Sequence, residues 1–147
     1  MIRVDVRRVP GGVRVESVRV RRWARATLRG EGIRRADLTV VFIDDRISRR
    51  LHRRWFGQDS ATDVMAFPLG EGETLEGEIY VNGMRARRQA RRFGVRFEEE
   101  LLRLVVHGTL HLAGYDDRSR VSARRMQARE DALVEQLSKR PKGAAES

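Results

Sequence analysis

The chain has 147 residues and a formal net charge of +10, from 31 Lys and Arg against 21 Asp and Glu. This length is typical of one domain that buries about 70% of the surface exposed in its unfolded form. Because the chain has no cysteine, a disulfide scaffold, a disulfide-linked partner and thiolate metal sites are excluded, and any metal must be held by His, Asp or Glu.

The composition favours a soluble, cytoplasmic domain. Hydrophobic residues make up 40% and charged residues 35%. No apolar run reaches the length of a membrane span or of a signal-peptide core, so no membrane partner is expected. Only Lys139 and Lys142 are lysine, and the remaining basic residues are arginine, which binds phosphate bidentately and suggests a nucleic-acid partner. A general bias towards arginine is the alternative, because charge alone does not identify a site.

The first half of the chain alternates between strand and helix patterns. Apolar and charged residues alternate over 2–9, which is typical of a half-buried strand. A helical period then predicts a helix from 13 to about 28, which Gly30 and Gly32 end. The apolar, β-branched run 38–43 predicts a central strand.

The next helix begins at a capping aspartate, Asp44 or Asp45. Its apolar residues recur every four positions, which predicts an inner face. That face consists of Ile47, Leu51 and Trp55. His52 lies beside arginines and is expected at the surface, with a role as a fourth metal ligand as the alternative. Three aromatic side chains are expected in the core rather than as stacking platforms for bases. They are Trp23, Trp55 and Phe67.

The second half begins with a hairpin and continues with helices. Strands at 63–67 and 78–81 are predicted to pair across the glycine-rich turn between them. Helices are predicted at 84–93, 97–112 and 118–137. We therefore expect the α+β class, with a small mixed sheet packed against several helices in one domain over 1–140, and a flexible tail at 141–147.

Two of the three histidines lie in the segment HGTLHLAGYDD. On a helix, His107 and His111 project from the same face one turn apart, so that one metal ion can contact both. Gly114 can end this central helix in a left-handed conformation and bring Asp116 or Asp117 to the open side of the ion. Two His and a carboxylate leave the fourth position of tetrahedral zinc open, as in catalytic sites.

The alternative is a pair of ordinary helix histidines followed by capping aspartates, but the glycine and the acid in register favour a metal site. The spacing is similar to the extended motif of metzincin proteases, which carry a Glu after the first His as general base. Gly108 occupies that place, so peptide hydrolysis by that mechanism is disfavoured although the metal scaffold can be shared.

The segment also resembles, closely, the signature of the YbeY family of endoribonucleases, usually His-Gly-x-Leu-His-Leu-x-Gly-Tyr-Asp-His. The likeness covers about residues 38–137. Outside the signature it includes Asp59, Thr62, Asp63, Val64, Phe67, Pro68, Gly77, Glu78, Ile79, Gln89, Ala90, Met126 and Glu130. The resemblance implies a zincin-like fold, bound Zn²⁺, and single-strand RNA cleavage in 16S rRNA 3′-end maturation and ribosome quality control. Ribosomal RNA and the small ribosomal subunit or its assembly factors are the implied partners.

Two positions depart from the family pattern. Asp117 stands where the family has its third histidine, and Phe56 stands where it commonly has an arginine in the cleft. An anionic ligand makes the metal a weaker Lewis acid, and two His with a carboxylate also suit Fe or Ni. The lost arginine removes a candidate phosphate clamp, which Arg85, Arg87 or Arg88 can replace.

We expect His107, His111 and Asp117 to be both the metal ligands and the catalytic residues. The base is either hydroxide on the metal itself or an acid behind the ligands such as Asp116, which is more simply a turn or cap residue.

The helix MRARRQARRFG is the best candidate for guiding RNA, with a solvated helix face as the alternative. Its arginines are Arg85, Arg87, Arg88, Arg91 and Arg92. The competing functions are a metal-stabilised assembly factor that binds RNA without cutting it and, as a third option, a zincin-type metalloprotease.

Overall fold

The computed structural model describes residues 1–70 and 72–139, and the predicted tail at 141–147 lies outside the described residues. The elements are β1 (Ile2–Arg8), α1 (Ser17–Gly30), β2 (Ala36–Ile43), α2 (Asp45–Phe56), β3 (Val64–Pro68), β4 (Leu75–Asn82), α3 (Gly83–Phe93), α4 (Phe97–Leu112) and α5 (Arg120–Ser138). Among the described residues, none of these helices is both long and apolar enough to cross a membrane.

In the described part of the chain, the strands form one four-stranded mixed sheet in the order β1-β2-β4-β3. β2 runs parallel to both β1 and β4, and β3 runs antiparallel to β4. The interior position of β2 explains why its sequence is apolar, since an interior strand has a neighbour on each side and helices over its face. The predicted central strand, the predicted hairpin and the small mixed sheet with helices on it are all confirmed.

Helix α4 lies at the centre of the molecule. It packs against α1, α3 and α5 and against the β3–β4 hairpin. Its bounds are those that the sequence predicts, because Phe97 begins its apolar pattern and the chain turns at Gly114, which has a φ of +110°. α1 starts later than predicted, since Glu16 is extended and Val13 packs against Gly83 instead. α5 starts later because Ser119 caps it in a capping box.

The prediction that Trp55 lies in the core is wrong. Its side chain is 60% exposed, whereas Trp23 is 3% exposed and belongs to the core. α2 begins as predicted, with Asp44 Oδ1 accepting the Ile47 amide at 2.9 Å. The buried residue of the helix is Ser48, and Ile47 and Leu51 of the predicted inner face are only half-buried, because little of the fold packs against this helix beyond a short contact with β4. Its last turn therefore presents its aromatic rings to solvent.

Gly108 lets α4 lie close to the β3–β4 hairpin. A Cβ at this position would lie 2.6 Å from Ile79 Cγ2 and 3.3 Å from Val64 Cγ2. Across the same contact, a Cβ on Gly77 would lie 2.7 Å from Leu112 Cδ1. The helix and the hairpin thus meet through glycines, which places the residues on either side of Gly108 next to the sheet.

We expect Gly108→Ala to destabilise the fold. Overpacking costs about 1–3 kcal/mol, and the better helix propensity of Ala offsets about 1 kcal/mol of it. Urea unfolding should therefore show a net loss of up to about 2 kcal/mol. Gly72→Ala is the control, since its Cβ would meet only the Thr74 amide, at 4.0 Å. Equal unfolding midpoints for the two variants would contradict the close contact.

Glu100 is a buried acid in the first turn of α4, 5% exposed. Burial raises the pKa of its carboxyl, although the Arg103 charge acts in the opposite direction. An acid whose pKa is higher in the folded state than in the unfolded state costs stability once pH exceeds the unfolded pKa. Glu100→Gln should therefore raise the melting temperature at neutral pH, and this gain should shrink as pH falls through the raised pKa of the folded state and be absent below the ordinary glutamate pKa.

Thermal unfolding at neutral pH and at a pH below the ordinary glutamate pKa checks the Glu100 prediction. Glu99→Gln, one position away and less buried, is the matched control. A Glu100→Gln variant that melts below the wild type at neutral pH would show that the carboxylate is net stabilising where it lies.

Candidate metal centre

His107 and His111 lie one turn apart on α4, with ring centroids 4.8 Å apart. Both side chains are half-buried and line a cleft of about 700 Å³. The wall opposite the helix comes from β3 and from the end of α2. The loop after α4 closes one side of the cleft and contributes Asp116, Asp117 and Arg118. The fold therefore brings the predicted histidines and both predicted acids into one cleft.

Glu130 of α5 holds the ring of His107 in place. Its Oε1 lies 2.6 Å from His107 Nδ1, and its Oε2 accepts a hydrogen bond from Arg103 at 2.7 Å. Burial favours the protonated form of Glu130, but the hydrogen bonds from His107 and Arg103 outweigh burial and lower the pKa of the carboxyl. Because an ionised carboxylate only accepts, His107 Nδ1 carries the proton, and Nε2 is left with a lone pair in the neutral ring.

His111 is held in its neutral form. Burial lowers the pKa of its imidazole, and the neighbouring His107 lowers it further, while the Asp117 charge acts in the opposite direction. Neutral imidazole is the form that binds a metal ion. The two rings are therefore prepared as ligands in different ways, one by a carboxylate behind it and the other by burial.

The loop that carries the acids is anchored at Tyr115. Its amide donates to the Leu110 carbonyl at 3.0 Å, and its hydroxyl donates to Glu31 Oε1 at 2.6 Å. Glu31 also accepts from Arg129 Nε at 2.6 Å. The hydrogen bond to Glu31 raises the pKa of the Tyr115 hydroxyl, so the hydroxyl stays protonated and the link persists. The left-handed Gly114 gives the chain reversal predicted from the sequence.

The two aspartates of this loop differ in their contacts. Asp116 Oδ1 accepts the Arg118 amide at 3.0 Å, which is the turn contact expected for this residue. Asp117 is exposed, and over 1–70 and 72–139 no three His, Asp or Glu side chains are placed together closely enough to hold one ion. The donor types in the cleft, two imidazoles and a carboxylate, fit Zn²⁺. The role of Asp117 as third ligand stays a prediction.

The predicted RNA-guiding arginines of α3 lie outside the cleft. Arg85 donates to the Ala61 carbonyl at 3.4 Å, and Arg88 pairs with Asp45 at 3.0 Å. Arg87 lies over the Phe97 ring, 4.7 Å from its centroid. The remaining two, Arg91 and Arg92, are exposed at the end of the helix. Contact of these five with RNA stays a prediction.

Sequence reasoning missed the role of Glu130 and the position of His52. Glu130 is 23 residues from His107 and on another helix, so no local spacing links the two. His52 lies in the cleft rather than on the outer surface, with Nδ1 3.0 Å from the Ser60 carbonyl oxygen. The sequence does contain a signal for this position. His52 lies four residues before Phe56, so both side chains project from the same face of α2, and Phe56 also lines the cleft.

The fold and the cleft define a small mixed α/β domain with a histidine pair on its central helix. The family model described as Endoribonuclease YbeY matches residues 13–138. The Endoribonuclease YbeY of Chlorobium luteolum is 40% identical over 116 residues, which cover 79% of this chain and 85% of the relative. That of Aquifex aeolicus is 34% identical over 130 residues, 86% of this chain and 87% of the relative.

A solved structure agrees with these sequence relatives. The solution structure of TM1509 from Thermotoga maritima is 31% identical, with a TM-score of 0.65 over 93% of this chain and 89% of that one. The chain belongs to the YbeY family of endoribonucleases, as the signature segment indicated.

Proposed function

We propose that the protein is a Zn²⁺-dependent endoribonuclease that cuts single-stranded RNA in 16S rRNA 3′-end maturation and in ribosome quality control in the cytoplasm. The observation that supports this most is the pair of histidines on α4, one of them bonded to Glu130, in a cleft that also contains acids. Membership of the YbeY endoribonuclease family supports hydrolysis of RNA. The strongly basic chain suits a polyanionic substrate.

His107, His111 and Asp117 would hold the ion, in a zincin-like arrangement on the central helix. When bound, Zn²⁺ supplies Lewis acidity towards the scissile phosphate. Fe and Ni are the alternatives, because two His and a carboxylate also suit them.

The residues of the chain itself prepare the site for RNA. Glu130 fixes the ring orientation of His107. The Tyr115 amide ties the acid-bearing loop to α4, and the Tyr115 hydroxyl ties it to Glu31 at the end of α1. Arg118 lines the cleft, and its guanidinium would bind a phosphate oxygen of the RNA.

Another residue must accept the proton, because Gly108 occupies the position of the metzincin general base and cannot act as a base. Asp116 is the first candidate. Its carboxylate lies in the cleft, but it already accepts the Arg118 amide. His52 is the alternative, since its imidazole can accept a proton and lines the same cleft from α2.

Three substrates offered to the same preparation separate the candidate functions. They are a fluorescent single-stranded RNA, the same strand in a duplex, and an unfolded protein such as casein. We expect only the single strand to be cut, with cleavage lost on chelation and restored by Zn²⁺. Binding without cleavage would favour the assembly factor, and casein cleavage would favour the protease. Co-sedimentation with small ribosomal subunits tests the proposed partner.

A further inference from the structure

The last turn of α2 presents two adjacent aromatic rings to solvent beside the histidine cleft. Trp55 is 60% exposed and Phe56 is 51% exposed, and we name this pair the aromatic platform. Phe56 also lines the cleft together with His107 and His111. Two large neighbouring rings at the edge of a cleft differ from the single apolar residues scattered over every protein surface.

The rings of the platform are supported from the sheet. The half-buried Phe67 of β3 lies 6.0 Å from Trp55 and 5.9 Å from Phe56, measured between ring centroids. Tyr80 of β4 lies 5.7 Å from Phe67 in an edge-to-face contact. Such aromatic contacts restrain the two exposed rings, so the platform is a defined surface next to the cleft.

One arginine lies over the platform, and other arginines of α2 line a groove along the same helix. The guanidinium carbon of Arg54 lies 5.6 Å from the centroid of the Trp55 ring. Along the same helix, a groove of about 780 Å³ is lined by arginines and by two aspartates. These residues are Arg46, Arg49, Arg50, Arg53, Asp45 and Asp59.

The groove keeps an excess of positive charge. Asp59 pairs with Arg49 at 2.8 Å and lies 3.9 Å from Arg53, and Asp45 pairs with Arg88 from α3. Within residues 1–70 and 72–139, Arg46 and Arg50 have no ion-pair partner. A groove of this charge attracts phosphates, whereas a purely apolar protein partner would not require it.

We propose that the aromatic platform stacks on unpaired bases of single-stranded RNA, while the arginines of α2 hold its phosphates and the strand continues into the histidine cleft. Bases within a duplex stack on one another and are not available to such rings, so the platform selects single strands. The continuation into the cleft rests on the proposed nuclease function. The stacking of bases on the platform does not rest on that function, since a binding measurement tests it without cleavage.

Two probes of equal length separate stacking from charge. One is a 2′-O-methyl oligoadenylate, checked intact after the measurement, and the other is an abasic oligonucleotide with the same phosphates. We expect Trp55→Ala to bind the oligoadenylate about tenfold more weakly and the abasic probe almost unchanged. Arg50→Ala should weaken both probes alike and reduce the salt dependence of binding. Oligoadenylate should also quench tryptophan fluorescence through Trp55, and Trp55→Phe should remove that quenching because Trp23 is buried.

Val18→Ala is the control, because this apolar side chain is 71% exposed beside Arg19 on α1 and lines neither the groove nor the cleft. It should change neither affinity. The proposal is overturned if Trp55→Ala leaves oligoadenylate binding unchanged or weakens both probes equally. It is also overturned if sedimentation shows a wild-type dimer that Trp55→Ala dissociates, since a second copy then covers the platform. Base-dependent binding by a protein that cuts no RNA would support the platform and contradict the nuclease.

Discussion

His111→Ala is expected to lower the rate of single-stranded RNA cleavage by about 10³-fold and to release the bound metal. The ring is half-buried, neutral and lines the cleft, so in the proposed site its loss removes one of the three metal ligands. Lewis-acid stabilisation is worth several kcal/mol, and each 1.36 kcal/mol corresponds to a factor of ten, which sets the expected size. Single-turnover cleavage rates and metal content by mass spectrometry check the two effects together.

Asp117→His is the comparison variant for this experiment, because it keeps three ligands and restores the residue that the family signature usually has. It should retain one metal ion per chain. Circular dichroism on both variants shows whether the fold is intact. Full cleavage and stoichiometric metal in a folded His111→Ala protein would contradict the role of the histidine pair.

Glu130→Gln is expected to weaken Zn²⁺ binding by about 10–100-fold, the usual effect of removing a carboxylate behind a histidine ligand. The amide cannot match the charge-assisted hydrogen bond at 2.6 Å to His107 Nδ1. It also removes one of two anionic partners of Arg103. Because Arg103 is a third exposed, the added loss of unfolding free energy should be about 1–2 kcal/mol. Competition with a chelating dye and urea unfolding measure the two effects.

Asp131→Asn is the matched control for Glu130. Asp131 accepts from the same Arg103 nitrogen, at 2.8 Å, but is exposed and forms no hydrogen bond with His107 over the described residues. It should leave Zn²⁺ affinity unchanged. If both variants weaken metal binding equally, the effect of Glu130 comes from the α5 surface in general and not from its contact with the ring.

The parts of the fold that local patterns control could be predicted. The bounds of α4, the turn at Gly114 and the pairing of β3 with β4 follow from hydrophobic spacing and from glycine. Contacts between distant segments could not be predicted, because no hydrophobic spacing in the sequence links residues on separate helices. The Glu130–His107 contact and the approach of α4 to the sheet at Gly108 are of this kind.

Trp55 shows the limit of amphipathic spacing. Its position in the period of α2 is that of a core residue, yet its ring is exposed. The period tells which residues share a face, but the tertiary fold decides how far a neighbour covers it. Trp55 is instead 60% exposed, which leaves its ring open to contact with RNA bases.

A titration of metal-free protein with Zn²⁺, with single-stranded RNA cleavage measured at each step, tests the central claim most directly. Cleavage should rise in proportion to added metal and reach a plateau at one ion per chain, and His111→Ala should stay inactive throughout. Cleavage at full rate before any metal is added, or one tightly bound ion with no cleavage, would contradict a metal-dependent nuclease centred on the histidine pair.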